Sequence, residues 1–210
     1  MKYSLLLMCL MFIGHSLQGQ INPLDVKLQH KSDYEAAAQS FSKGEAEDAQ
    51  QYYLGILSEI VLIDGYLQQF VQLDKVDAPI AQFQQTIRSC ESGIERTKKS
   101  LKLYKKNKWA LREKMERRTL NWVNSVQSLI DRYIVDLVEP FSREDSTWVE
   151  ADYSLYKKYV YAYEDYLDID QQWVDFQYEF AKANNFSIKG EIDPADIVVN
   201  SGQVVNQNAK

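Results

Sequence analysis

Histidine and cysteine are scarce in this chain of 210 residues, which contains two of each. One of each lies within the first 19 residues, so His30 and Cys90 are the ones that remain beyond that segment. A zinc site needs several Cys or His ligands, and a di-iron helical site needs paired Glu-x-x-His motifs. The inventory excludes both kinds of site, and a single remaining cysteine excludes an internal disulfide. We therefore expect no metal site and no cofactor.

The same scarcity argues against most enzyme classes. A Ser-His-Asp or Cys-His arrangement would have to recruit His30. Cys90 falls on a helical seam, where a buried and unreactive thiol is more usual than a nucleophile. The acidic run Glu164, Asp165 and Asp168 has the spacing of a magnesium–diphosphate motif, but no comparable second cluster accompanies it. We interpret that run as a solvated face and predict that the protein is not an enzyme.

One short apolar run stands near the start of the chain. Residues 5–14 form an apolar core between Lys2 and a region of small and polar residues, which is typical of a cleaved signal peptide and too short to span a bilayer. Residues 1–19 are predicted to be this leader. Cys9 follows Met8 where a lipobox requires a small residue, so we expect no lipid anchor. The protein is thus predicted to be exported, to the periplasm or the cell surface.

Proline and glycine are also rare, with four and eight residues, and they punctuate long amphipathic segments. After a short helix ending near residue 43, apolar residues recur at alternating steps of four and three, the spacing of helices packed along a partner. The four predicted seams are Ala49, Tyr53, Ile56, Ile60, Ile63, Leu67 and Phe70; Ile80, Phe83, Ile87, Cys90, Ile94, Thr97, Leu101 and Tyr104; Leu111, Met115, Thr119, Trp122, Val126, Leu129, Tyr133 and Leu137; and Leu155, Tyr159, Ala162, Tyr166, Ile169, Trp173, Phe176 and Phe180.

These seams predict an all-α fold. We expect an antiparallel bundle of four long helices within residues 20–186, with a short N-terminal helix, followed by a disordered tail at 187–210. One boundary is ambiguous, because the apolar period could continue through Asn107 and give a single helix of about 60 residues and some 90 Å. A turn at Asn107 gives four helices of similar length, and we favour it because such helices can close into a bundle.

The last long segment, 148–180, is rich in aromatic residues on more than one face and contains no Pro or Gly. Its seam predicts core packing. Tyr153, Tyr156, Tyr161 and Tyr163 fall off that seam, which is explained either by a central position in the bundle or by an exposed binding stripe. They are candidate residues for a small-ligand site.

Charge is distributed unevenly along the chain. Residues 96–118 carry eleven Lys and Arg against two Glu, a net charge of +9, whereas the formal net charge of the whole chain is −6. If the chain turns near Asn107, both basic arms meet at one tip. Acidic faces of neighbouring helices could neutralise it; otherwise the tip would attract anions, more weakly as salt rises. The candidate partner-binding residues are Lys98, Lys99, Lys102, Lys105, Lys106, Lys108, Arg112, Lys114, Arg117 and Arg118.

The overall plan resembles a leptospiral-type family of exported helical surface proteins that also occurs in Bacteroidetes. The segment 179–188, EFAKANNFSI, carries the most specific similarity. The resemblance implies a location at the cell envelope. Members are usually lipoproteins of undefined function, so it implies no activity.

The leading functional prediction is a non-enzymatic envelope protein that binds an envelope protein, a polysaccharide or lipid headgroups through its basic tip. The acidic overall balance disfavours nucleic acid as a partner. A periplasmic holdase-type chaperone is the first alternative, and a small-ligand-binding bundle that uses the off-seam tyrosines is the second. A homodimer is also compatible with the helical seams.

Overall fold

The computed structural model describes residues 31–75, 78–143, 147–186 and 188, and all regular structure within these residues is helical. The predicted all-α class is confirmed. Helix α1 spans Lys31–Lys43, α2 spans Ala49–Lys75 and α3 spans Ile80–Leu103; α4 begins as Arg112–Leu129, passes through a π-helical segment at Ile130–Ile134 and ends as Val135–Phe141; and α5 spans Glu150–Ala183. The predicted leader, His30 and the tail residues 187 and 189–210 lie outside the described residues.

Most of the predicted seams form the core. All seven seam residues of α2 are buried, and so are seven of the eight in α3. The exception is Ile80, which is 42% exposed, because the packed face of α3 begins one turn later at Phe83. The helix of aromatic residues, α5, buries Tyr159, Tyr166 and Trp173 on the predicted seam.

The π-helical segment of α4 corrects one seam. A π turn contains an extra residue relative to an α turn, so the buried face is displaced along the helix. Ile130 and Ile134 are buried, whereas Tyr133, which the regular period placed on the seam, is only half-buried. The helix also continues through Pro140 as far as Phe141.

At two glycines another helix approaches closely. A Cβ at Gly93 in α3 would lie 2.8 Å from Ile63 Cγ1 in α2, and a Cβ at Gly55 in α2 would overlap with Phe41 Cβ in α1. Both positions exclude a side chain because another helix occupies the space. The packing of α1 and α3 against α2 therefore depends on these two residues.

Polar contacts place α5 against two other helices. Trp122 Nε1 of α4 donates a hydrogen bond to Asp170 Oδ1, at 2.7 Å, and Trp173 Nε1 donates to Thr119 Oγ1 of α4, at 3.2 Å. On the other side, the Tyr53 hydroxyl of α2 donates to Gln177 Oε1 at 2.5 Å. The aromatic helix thus contacts both α2 and α4, although Tyr153, Tyr161 and Tyr178 on its other faces are exposed.

One described helix has the length and composition of a membrane span. The stretch Ala49–Leu73 has a mean hydropathy of 1.3 in its most apolar window. It belongs to α2, whose seam is buried against α1 and α3. A core helix of a globular protein meets the same criterion, so the stretch carries no argument for a membrane.

Candidate functional site

The chain turns between α3 and α4, so the predicted turn at Asn107 is confirmed and the single long helix is wrong. We call residues 104–111 the basic turn. The Asn107 amide donates to the Tyr104 carbonyl at 3.1 Å. At the far end, Leu111 adopts a left-handed backbone conformation, with φ 57° and ψ 14°, immediately before α4. This conformation costs a residue with a Cβ roughly 1–2 kcal/mol, so the surrounding contacts must hold Leu111 in place.

Aromatic rings form the base of the basic turn. The Tyr52 ring of α2 lies 5.1 Å from both the Tyr104 and the Trp109 rings, and Tyr104 stacks on Phe41 of α1 at 5.3 Å. Phe180 of α5 completes this group, 6.3 Å from Tyr52. We call these five residues the turn cluster. The cluster joins the basic turn to three other helices.

Hydrogen bonds fix the turn cluster further. The Tyr104 hydroxyl donates to the Phe41 carbonyl at 3.0 Å and accepts from the Ala46 amide at 3.2 Å. Tyr52 is fully buried, and its hydroxyl has no hydrogen-bond partner in the described part of the chain. Burial raises the pKa of Tyr52, with a further contribution from the nearby negative charge of Glu116. The hydroxyl therefore stays protonated beneath the turn.

The C-terminal end of α5 clamps the basic turn from the side. Asn184 Oδ1 accepts from the Ala110 amide at 3.0 Å, and Asn184 Nδ2 donates to the Ala110 carbonyl at 2.9 Å. This pairing mimics a backbone ladder between residues 74 positions apart. The clamp thus ties the residue that follows α5 to the backbone of the basic turn.

Three of the ten predicted basic residues face protein groups. Arg112 is only 6% exposed and forms ion pairs with Glu116 at 2.6 Å and Glu113 at 3.4 Å. Lys114 Nζ lies 2.8 Å from Glu179 of α5 and 4.6 Å from the centre of the Phe176 ring. The Lys114 contacts hold α4 against α5, whereas both partners of Arg112 lie on α4 itself.

The third is Arg118, whose guanidinium donates to Gln172 Oε1 of α5 at 2.6 Å. Lys98, Lys99 and Lys102 lie on α3, the first half-buried and the other two exposed. Like Arg118, they are absent from the wall of the concave pocket that the remaining basic residues share.

Six of the ten basic residues line this open pocket of about 780 Å³. The structure thus brings them onto one concave surface, although they are spread over 13 positions of sequence. The lining residues are Lys105, Lys106, Asn107, Lys108, Trp109, Leu111, Arg112, Glu113, Lys114 and Arg117. Within the described ranges, no carboxylate forms an ion pair with Lys105, Lys106, Lys108 or Arg117.

The four candidate tyrosines of α5 do not share one environment. Tyr153 and Tyr161 are 46% and 57% exposed. Tyr156 and Tyr163 are half-buried in a row of rings, in which Tyr163 lies 5.9 Å from Tyr159 and 5.3 Å from Tyr166. Burial raises the pKa of Tyr163. Two of the four are therefore built into the packing and two point to solvent.

Cys90 is buried, as its position on the seam predicted. Burial raises the pKa of its thiol to about 12, and the thiolate is the nucleophilic form. The acidic residues Glu164, Asp165 and Asp168 are exposed. Among the described residues, no three His, Cys, Asp or Glu side chains are grouped so that they could hold a metal ion.

The residues of this region that were not predicted include Trp109, Tyr52 and Asn184. Trp109 had a signal in the sequence, because a tryptophan among the lysines of 105–109 is unusual for a solvated turn. Tyr52 and Asn184 had none, since their contacts join distant parts of the chain. Searches of protein-family models, curated proteins and solved structures found no match to this chain.

Proposed function

We propose that the protein is a non-enzymatic, exported envelope protein that binds an anionic macromolecular partner through the basic turn. The observation that carries this proposal is the grouping of Lys105, Lys106, Lys108 and Arg117 on one concave surface without ion-pair partners among the described residues. Cationic side chains gathered in this way create a local positive potential that attracts anions even when the whole protein is acidic.

The arrangement of neighbouring carboxylates supports the proposal. Glu116 neutralises Arg112, and Glu179 neutralises Lys114. These two pairs lie on the side of the pocket that faces the protein. Of the remaining cations, Lys105, Lys106 and Lys108 project from the turn itself and Arg117 lies on α4. A chain that used these lysines only to balance acidic helices would pair them as it pairs Arg112.

We also propose that α2 to α5 form an antiparallel four-helix bundle with the basic turn at one tip. Ring contacts join Phe70 to Phe83 near one end of α2, and the Glu59–Arg96 ion pair joins the same helices further along. These pairs run in opposite directions along the two helices. The contacts of α5 with both α2 and α4 supply the remaining sides of the bundle.

Affinity capture from a native envelope extract, at low and at high salt, tests the function. The parent is compared with a variant in which Lys102, Lys105, Lys106 and Lys108 are changed to Glu. We expect a partner that binds the parent at low salt, is weakened at high salt and is lost from the variant.

The matched control changes four exposed cations outside the basic stretch: Arg88, Arg132, Lys157 and Lys158 to Glu. Its net charge equals that of the variant with Lys102, Lys105, Lys106 and Lys108 changed to Glu, which we call the tip variant. Capture by the control, together with loss from the tip variant, supports a local site. Equal loss from both would show that net charge alone governs binding, and equal capture by both would contradict the proposal.

A further inference from the structure

The pocket at the basic turn has the dimensions of a small-molecule site. Its volume of about 780 Å³ falls within the range of roughly 300–1,000 Å³ that ligand pockets occupy. The pocket therefore fits one compact group, such as a sugar or a headgroup, as the point at which a partner is gripped.

The pocket combines an apolar surface with charged walls. Trp109 and Leu111 supply the apolar part, and the Trp109 ring is held against Tyr52 by the turn cluster. Lys105, Lys106 and Lys108 come from the turn, and the first turn of α4 supplies further basic side chains. A sugar ring or glycerol moiety can pack on Trp109 while an attached anion meets the cations.

The charge around the pocket favours a doubly charged anion. Four cations lack ion-pair partners in the described part of the chain, and one exposed carboxylate, Glu113, opposes them. Coulomb attraction doubles with the charge of the ligand, so a dianion gains more from these cations than a carboxylate or a sulfate ester does. The positive end of the α4 dipole adds to the same potential.

We propose that this pocket binds a phosphate monoester, held by Lys105, Lys106, Lys108 and Arg117 with its organic part against Trp109. The proposal deepens the proposed function and rests on it, since it names the group by which the anionic partner is recognised. The buried Arg112 stays paired with Glu116 and shapes the wall of the pocket. The phosphate belongs either to a sugar or to a lipid headgroup, which present the same chemistry.

Trp109 provides the test, because it lines the pocket and its fluorescence reports on a ligand there. The purified protein is titrated with glucose 6-phosphate, glucose 6-sulfate and glucose, and is separately floated with phosphatidylcholine vesicles with and without phosphatidic acid. We expect a saturable change with the phosphate, a weaker one with the sulfate and none with glucose. A Trp109→Phe variant should lose the signal while the other tryptophans still emit.

Two charge-reversal variants of equal net charge locate the site. Lys105, Lys106 and Lys108 changed to Glu should weaken phosphate binding by about tenfold or more, because the attraction becomes repulsion. Arg132, Lys157 and Lys158 changed to Glu should bind as the parent does.

A response to glucose 6-phosphate supports a phosphorylated sugar as the source, and flotation with phosphatidic acid alone supports a lipid headgroup. Equal responses to phosphate and sulfate would overturn the proposal, as would the absence of both soluble and vesicle binding. If phosphate fails but the tip variant still loses its captured partner, the proposed function stands and the phosphate monoester falls. If phosphate binds but no envelope partner is captured, the macromolecular function falls instead.

Discussion

Two clusters of aromatic rings stand at the two ends of α3, about 30 Å apart along the helix. The turn cluster lies under the basic turn. The second, which we call the distal cluster because it lies at the other end of α3, joins α2, α3 and α4 to the start of α5. It consists of Phe70, Phe83, Phe141, Trp148 and Tyr156, with ring centres 5.4–6.4 Å apart. Both clusters use buried rings to close an end of the molecule.

The two ends differ in how they treat charge. Beside the distal cluster, Arg143 pairs with Asp152 at 2.9 Å, and the same carboxylate accepts from the Val149 amide at 3.0 Å. Beside the turn cluster, four cations have no such partner among the described residues. Exposed ion pairs contribute little to stability, so folding tolerates both arrangements. Ring packing thus closes both ends, while unpaired charge distinguishes the end that we propose for binding.

Truncating one ring in each cluster should separate stability from binding. Phe41→Ala and Phe83→Ala each remove a ring that is almost fully buried, and each should lower the free energy of unfolding by about 3–5 kcal/mol. Urea unfolding followed by circular dichroism measures both. Only Phe41→Ala should also weaken capture through the basic turn, because Phe41 supports Tyr104. Equal effects of the two variants on capture would break the distinction between the ends.

Local periodicity explains why the helices and most buried positions could be predicted. The π-helical segment could not be predicted, because it changes the helical period without any marker in the sequence. Tyr133 was therefore wrongly assigned to the buried seam. The turn cluster could not be predicted from the sequence for another reason. Tyr52 and Tyr104 are 52 positions apart, and no periodic pattern states which helix ends meet. The run of basic residues could be recognised in the sequence. Which of them form ion pairs depends on where Glu116 and Glu179 lie in the fold.

Between the two ends, α2 and α3 are joined by an ion pair whose carboxylate is buried and whose guanidinium is partly exposed. Glu59 is fully buried and accepts two hydrogen bonds from Arg96, at 2.6 and 2.7 Å. Burial raises the pKa of Glu59, and the Arg96 guanidinium limits that rise. A carboxyl whose pKa is raised on folding favours the folded state as pH falls through the folded pKa and costs stability above it.

Arg96→Met should therefore destabilise the protein by about 3 kcal/mol at neutral pH, since it leaves a buried carboxylate without its partner. The loss should shrink as the pH is lowered, because Glu59 then binds a proton. Chemical denaturation of the variant and the parent between neutral and mildly acidic pH measures this. The double variant Glu59→Gln with Arg96→Met is the control and should show little of the pH dependence. A loss that is independent of pH would show that Glu59 is not the titrating group.

Replacing two glycines of α2 should have smaller effects on stability, and these should be opposite in sign. One glycine lies near the basic turn and the other in the middle of the helix. Gly55→Ala places a Cβ against Phe41 of the turn cluster and should cost about 1–3 kcal/mol by overpacking. A Cβ at Gly65 would meet open space, with nothing within 4 Å, so Gly65→Ala should stabilise the helix by up to about 1 kcal/mol. Thermal unfolding of the two variants gives the signs. A stabilising Gly55→Ala would mean that α1 does not pack on α2 as closely as described.

The smallest effect concerns two hydroxyls within the turn cluster. Tyr104→Phe removes a hydroxyl with two backbone partners and should cost about 1 kcal/mol, whereas Tyr52→Phe removes a buried hydroxyl without one among the described residues and should be neutral or slightly stabilising. Denaturant titrations of the two variants measure the difference. A destabilising Tyr52→Phe would reveal a partner for that hydroxyl. Because the Tyr52 ring packs against Trp109, such a partner would be a further polar contact that fixes the rings beneath the basic turn.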